Sequence, residues 1–178
     1  MKLKEIKESI KIPEKSSFLL EGNIIKISGP KGTVTKKVLD KNLIIEKNGE
    51  FVVVKSKKIN KVGKRAVGTY ASIIKNLFKG VCEGFEYKLK ICSGHFPMNV
   101  SVSGKEIIIK NFLGEKYPRK CVVKGNVQLK LEKDVIVVSG IDKEEVGQAA
   151  ADIEQTTRIT NRDRRIFQDG IYIISKEK

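Results

Sequence analysis

The sequence predicts an α+β chain made of two tandem copies of one unit, each a mostly antiparallel β-sheet packed against a single α-helix. Three observations carry this. Segments recur in the same order at nearly equal offsets, short β-branched runs are separated by glycine-rich turns, and each half holds one stretch of helical period. The clearest repeat lays Gly22 to Gly32 (GNIIKISGPKG) on Gly104 to Gly114 (GKEIIIKNFLG), 82 positions on. Glu50 to Val54 (EFVVV) matches Asp134 to Val138 (DVIVV) at an offset of 84. Val67, Gly68, Ala71 and Ile74 fall on Val146, Gly147, Ala150 and Ile153 at an offset of 79. The predicted units are residues 1–82 and 83–178.

In the first unit, strands are expected at 17–20, 23–28, 33–38, 43–46 and 51–54. Each is a short apolar or β-branched run, and Glu21-Gly22, Ser28 to Gly32 (SGPKG) and Lys47 to Gly49 (KNG) are the turns between them. A helix is expected over 61–79, with Val62, Ala66, Tyr70, Ile73, Ile74, Leu77 and Val81 as its apolar stripe. Gly80 is the expected stop.

The second unit repeats the pattern at 99–103, 106–112, 118–123, 127–131 and 135–139, followed by a helix at 143–156. Asp142 is the expected N-cap, with Glu145 completing a capping box. Val146, Ala149, Ala150 and Ile153 form the stripe. The strictly alternating segment 85–93 (FEYKLKICS) reads as a strand joining the units, and Ile171 to Ile174 as a last strand beside it.

Composition narrows the function classes. The chain is 40% apolar and 32% charged, the balance of folded globular material, and its net charge is +15. A compact protein so charged repels itself, and a polyanionic partner is the usual reason to tolerate that. Residues 1–82 hold 19 Lys+Arg against 7 Asp+Glu (+12), and residues 83–178 hold 17 against 14 (+3). The first half is therefore expected to supply long-range attraction and the second fixed contacts. Cys82, Cys92 and Cys121 are odd in number and form no Cys-x-x-Cys pair, which reads as free thiols in a reducing cytoplasm. No apolar run approaches the length needed to span a bilayer, and the N-terminus alternates charged and apolar residues, unlike a secretory signal.

The chain has six arginines, and four lie within eight residues: Arg158, Arg162, Arg164 and Arg165. Lysine is a hydrated point charge, whereas arginine is a planar fork that grips phosphate with two hydrogen bonds. Gathering the scarcer donor beside an ordered-looking segment is the layout of a docking surface for a phosphate backbone; the bland alternative is a solvated basic face.

Two loops bear two readings each. Ser28 to Gly32 is either a tight turn or a cradle offering N–H groups and Lys31 to a phosphate, though it lacks the spacing of a nucleotide-binding loop. Asn111 to Lys120 (NFLGEKYPRK) is either a hairpin tip or a place where Tyr117 stacks on a base among Lys116, Arg119 and Lys120. His95, the sole histidine, sits in Cys92 to Pro97 (CSGHFP). A Cys-x-x-His pair without a second pair does not complete a metal site, and no nucleophile motif accompanies the imidazole, so packing or RNA contact is the expected role. An enzyme using His95 with Cys92, and a general DNA-binding or chaperone-like basic protein, stand as the competing functions.

The C-terminal stretch resembles the large-subunit ribosomal protein L-six family, called L-nine in eukaryotes. Gln155, Ile159, Arg162, Arg165, Phe167, Asp169, Gly170, Ile171, Tyr172, Ile173 and Lys176 match its pattern in register. Ile12-Pro13, the Gly-Pro-Lys-Gly of 29–32, His95-Phe96-Pro97 and Asn111 to Lys116 are supporting matches, and NFLGEKYPRK with VGQAAADIEQTTRI is most similar to the archaeal branch. The resemblance implies a duplicated sheet-and-helix fold and a non-catalytic constituent of the large ribosomal subunit, cytoplasmic and without a cofactor. Its implied partners are large-subunit rRNA near the sarcin–ricin loop, neighbouring ribosomal proteins and translation factors. The implied rRNA-binding residues are Lys116, Arg119, Lys120, Arg158, Arg162, Arg164, Arg165 and Lys176. Away from the ribosome, the charge-rich residues 1–10 are expected to be only partly ordered.

Overall fold

The computed structural model describes residues 6–177. The chain divides into two compact units, Met1–Gly84 and Phe85–Lys178. Both are α+β.

In the first unit, β1 (Lys7–Lys11) pairs antiparallel with β6 (Phe51–Ser56), which pairs on its other side with β5 (Leu43–Asn48). A second sheet is formed by β2 (Ser17–Glu21), β3 (Ile24–Gly29) and β4 (Gly32–Lys37), with β3 in the middle. The helix α1 (Lys61–Cys82) covers them. Alternation decides which side chains go inward: Ile25 and Ile27 of β3, Phe18 of β2 and Val52 and Val54 of β6 are buried against Val67, Ala71, Ile74, Phe78 and Val81 of α1. The first half of the expected stripe is therefore one position out of phase, with Gly63, Val67 and Ala71 buried in place of Val62, Ala66 and Tyr70, whereas Ile74, Leu77 and Val81 are buried as expected. Val62 is exposed and Phe78, absent from the expected stripe, is buried near Phe18 with ring centroids 6.3 Å apart.

The strand β1 went unread in the charge-rich N-terminus, although Ile10 is buried opposite Val52. Its first four residues belong to the 1–10 stretch expected to be partly ordered; residues 1–5 of that stretch lie outside the described residues. Gly80 does not end α1. It is buried within the helix, which continues to Cys82, and Gly84 (φ 79°) makes the left-handed exit, donating its N–H to the Gly80 carbonyl.

In the second unit, β7 (Phe85–Cys92) lies between β12 (Val135–Gly140) and β13 (Gly170–Glu177), and β11 (Val127–Glu132) flanks β12. The smaller sheet is β8 (Asn99–Ser103), β9 (Glu106–Lys110) and β10 (Arg119–Val122), again with the middle strand second in sequence. The order β7-β12-β11 repeats β1-β6-β5, and β8-β9-β10 repeats β2-β3-β4. So the segment expected to join the units is the first strand of the second unit, equivalent to β1, and β13 lies beside it as expected. The hairpin turns agree: Gly22 (φ 60°) and Gly104 (φ 61°) occupy matching left-handed positions.

The helix α2 (Lys143–Thr156) buries Val146, Ala149, Ala150 and Ile153, the stripe read from the sequence. Asp142 caps it by accepting the Glu144 N–H. The capping box is not formed, because the Glu145 carboxylate instead accepts the Asn126 N–H at 2.8 Å. Gly140 lets β12 pass close beneath α2, since a Cβ there would lie 2.7 Å from Val146 Cγ2. Among the described residues, no helix is long and apolar enough to cross a membrane.

Candidate nucleic-acid interface

Three loops of the second unit form one connected structure: 93–98 after β7, 111–118 after β9, and 157–169 between α2 and β13. The last carries the arginines, and its ends are fixed by buried polar groups. Thr157 Oγ1 accepts the Ile171 N–H at 2.9 Å and donates to the Glu154 carbonyl at 3.1 Å. Within the loop, Asn161 adopts φ 58°, a region asparagine tolerates. Asp163 then starts a tight turn, its side chain accepting the Arg165 N–H and its carbonyl the N–H groups of Ile166 and Phe167. Ile159 is buried and Phe167 half-buried, while Arg158, Arg162, Arg164 and Arg165 are exposed. The Arg165 side chain is 93% exposed, so its 3.7 Å approach to Asp163 is a screened surface contact.

At the other end of the loop stands Asp169, 3% exposed. One carboxylate oxygen accepts the Gly94 N–H and, at 3.0 Å, the His95 N–H; the other meets His95 Nδ1 at 2.6 Å. Burial pushes this carboxyl upward. The bonds from the His95 backbone, the His95 ring and the Gly94 N–H outweigh it and hold the pKa below the usual aspartate value. The His95 ring, so oriented, lies 4.8 Å from the Phe167 ring, and the Arg162 guanidinium lies 4.8 Å above Phe167. Asp169, His95, Phe167 and Arg162 thus form a continuous series that sets where Arg162 projects. His95 packs against Phe167 while its side chain stays 39% exposed. Asp169 does more than make a turn, and Gly170 (φ 154°) leaves room for the Tyr172 ring, which would lie 3.1 Å from a Cβ.

Arg119 joins the second loop to the third. Its Nε and Nη2 grip both oxygens of Glu115 at 2.8 and 2.6 Å, its Nη1 donates to the Thr156 and Arg158 carbonyls, and its guanidinium stacks 4.2 Å over buried Phe112. The hydrogen bond from Arg119 lowers the Glu115 pKa against the effect of burial, helped by the charges of Arg119 and Arg162. Asn111 and Leu113 both adopt left-handed φ here, and the Asn111 side chain donates to the Pro97 carbonyl at 2.9 Å, linking the first loop to the second. Lys116 and Tyr117 are exposed, Tyr117 at 86%. Lys120 is exposed on β10, 3.7 Å from Glu106.

Lys176 is set apart. It lies toward the far end of β13, roughly 20 Å from Gly170 at a rise of ~3.3 Å per residue. In the first unit, Lys31 of the Gly-Pro-Lys-Gly turn folds onto the end of α1: its N–H donates to the Val81 carbonyl and its ammonium to the Glu83 carbonyl. The turn reading holds, with Lys31 as a partner for helix-terminal carbonyls.

The sequence profile described as Ribosomal protein L6 matches residues 96–170, which includes all of the loops 111–118 and 157–169 and half of 93–98. The chain is 49% identical to Large ribosomal subunit protein uL6 of Methanosarcina mazei over 174 residues, covering 98% of this chain and 99% of that protein. It is 46% identical to the uL6 of Methanococcus vannielii, covering 96% and 94%, and 41% identical to that of Haloarcula marismortui, covering 94% of each.

Proposed function

Since the chain belongs to the uL6 family of large-ribosomal-subunit proteins, we propose that it binds large-subunit rRNA through the three-loop surface of its second unit, by phosphate contacts and RNA shape. Membership of that family makes it a structural component of the large subunit of the cytoplasmic ribosome, not an enzyme. The observation that carries the binding site is the arginine loop. Four exposed guanidinium groups stand on a loop fixed at Thr157 and Asp169, with Arg162 held over Phe167. Donors held in place before binding lose less freedom on meeting phosphate. Folded RNA helices hide their deep groove from side chains, so backbone and shape dominate.

Arg158, Arg162, Arg164, Arg165, Lys116 and Lys120 are the direct contacts of this reading. Arg119 acts through the loops it joins, and Lys176 would reach a separate stretch of RNA. The first unit, whose residues 1–82 carry a net charge of +12, adds diffuse attraction. Neighbouring ribosomal proteins, and translation factors near the sarcin–ricin loop, are its further partners.

The test is filter binding of large-subunit rRNA across a salt series, comparing wild type with the double variant Arg162→Ala/Arg165→Ala. Losing two phosphate contacts should flatten the slope of log K against log salt by about 1.4–1.8. Unchanged affinity and slope would remove both residues from the site. Equal affinity for duplex DNA at matched salt would replace the proposal with general polyanion binding.

A further inference from the structure

An open depression of about 720 Å³ lies beside the arginine loop, lined by Lys90, Cys92, Ser93, Asp134, Gln168 and Tyr172. Its volume falls in the range of small-molecule sites, ~300–1,000 Å³. The depression uses the sheet face turned away from α2. Along β7, Phe85, Tyr87 and Leu89 are buried and Lys90 is exposed, and Lys90 is the direct neighbour of Val135 on β12 and Tyr172 on β13. Asp134 comes from the β11–β12 turn, where Lys133 is left-handed (φ 51°). Gln168 comes from the arginine loop itself, its side-chain amide donating to the Arg165 carbonyl at 3.3 Å. The Tyr172 hydroxyl donates to the Asp169 carbonyl at 3.3 Å.

The lining does not suit phosphate. An ionised carboxylate only accepts hydrogen bonds and repels an anion, and a single lysine is set against it. It suits the edge of an unpaired base, because single-stranded RNA is read by hydrogen bonds to splayed-out bases. Of the four bases, guanine alone presents two adjacent donors, N1–H and N2–H, beside an acceptor, O6. Two donors match a carboxylate, and O6 matches an ammonium. We propose that the depression between Lys90, Asp134 and Gln168 receives one unpaired guanine of the large-subunit rRNA, with Asp134 accepting from N1–H and N2–H and Lys90 donating to O6. This rests on the rRNA-binding reading above, and adds base readout to a surface otherwise built for phosphate.

Large subunits are purified from cells carrying either the wild-type chain or Asp134→Asn. Both are treated with a glyoxal reagent that forms an adduct across guanine N1 and N2. In parallel, hydroxyl-radical cleavage maps the RNA backbone. One guanine protected in wild-type subunits should become about fivefold or more reactive in Asp134→Asn, the lower end of what a lost bidentate base contact costs. The hydroxyl-radical footprint should be retained. Lys90→Met, at an exposed position of β7, removes the donor to O6 and should expose the same guanine. Identical glyoxal patterns with the backbone footprint present would overturn the guanine site and leave the phosphate reading standing. No backbone protection by the wild-type protein would overturn both.

Discussion

Replacing Asp169 tests the central claim about how the arginine loop is held. Truncation to alanine removes the acceptor for the Gly94 N–H, the His95 N–H and the His95 ring. Hydrogen bonds to a charged group contribute ~1.5–3 kcal/mol each when buried. Here Asp169 is buried but Gly94 and His95 are exposed, so water can reach both orphaned donors and the cost falls to about 1 kcal/mol apiece. With the ring contact added, Asp169→Ala should destabilise the second unit by about 2–3 kcal/mol. Asp169→Asn keeps one oxygen for the backbone donors and should cost about 1 kcal/mol. The pH dependence has a definite sign. The folded pKa lies below the unfolded one, so the wild-type advantage is complete above the ordinary aspartate value of ~3.9 and declines as pH falls through the folded pKa. Urea unfolding followed by far-UV circular dichroism, from pH 7 down to about 3, measures this. An Asp169→Ala variant within ~0.5 kcal/mol of wild type at pH 7, or a gap undiminished at the acid end, would refute the latch.

Three further substitutions probe the same unit and the first one. Arg119→Lys keeps the charge but loses the fork that grips Glu115 and reaches the Thr156 and Arg158 carbonyls; it should cost about 1–2 kcal/mol in urea unfolding and raise protease sensitivity near residue 158, whereas intact stability would show the fork to be dispensable. Gly140→Ala drives a Cβ into Val146 and should cost about 1–3 kcal/mol, while Gly68→Ala, with open space around it on α1, should stabilise by about 0.5–1 kcal/mol; thermal unfolding that ranks them the other way would contradict the helix–sheet spacing described here.

The duplicated fold was legible because it is written in local chemistry. Gly22 and Gly104 mark turns that need a left-handed residue, and the α2 stripe is short, small and unambiguous. The phase of the first half of α1 was not. With Val62, Ile73 and Phe78 all apolar, periodicity alone allows neighbouring faces, and only the sheet beneath selects Val67, Ala71, Ile74 and Phe78. Gly80 resembles a stop, yet it is a buried position inside the helix. Strand β1 was hidden by lysines at Lys7 and Lys11, which flank Ser9 on one side of the strand while Ile10 turns inward. At the candidate interface, exposed cations could be read by type and clustering. The groups that orient them could not: Asp169 and His95 are distant in sequence and meet only because β13 returns beside β7. Arg119 shows the converse. An arginine among cations reads as a ligand donor, but its donors are directed to Glu115 and backbone carbonyls.

The position of β13 has a consequence for the order in which the surface comes into being. Ile91 pairs with Ile171, so this contact closes a loop that holds nearly the whole second unit. Contacts of such long sequence separation carry a large closure entropy and tend to form late. Until they form, Asp169 has no His95 to bind, Ile171 cannot donate to Thr157, and the arginines are strung on loose chain. Such a chain would attract any polyanion, without the fixed spacing that favours one RNA. If the loop binds rRNA as proposed, charge is thus present from the first moment of synthesis, whereas selectivity is conferred in a late step of folding. A factor that shielded residues 157–169 until β13 docked would protect the protein from its own attraction to the wrong RNA.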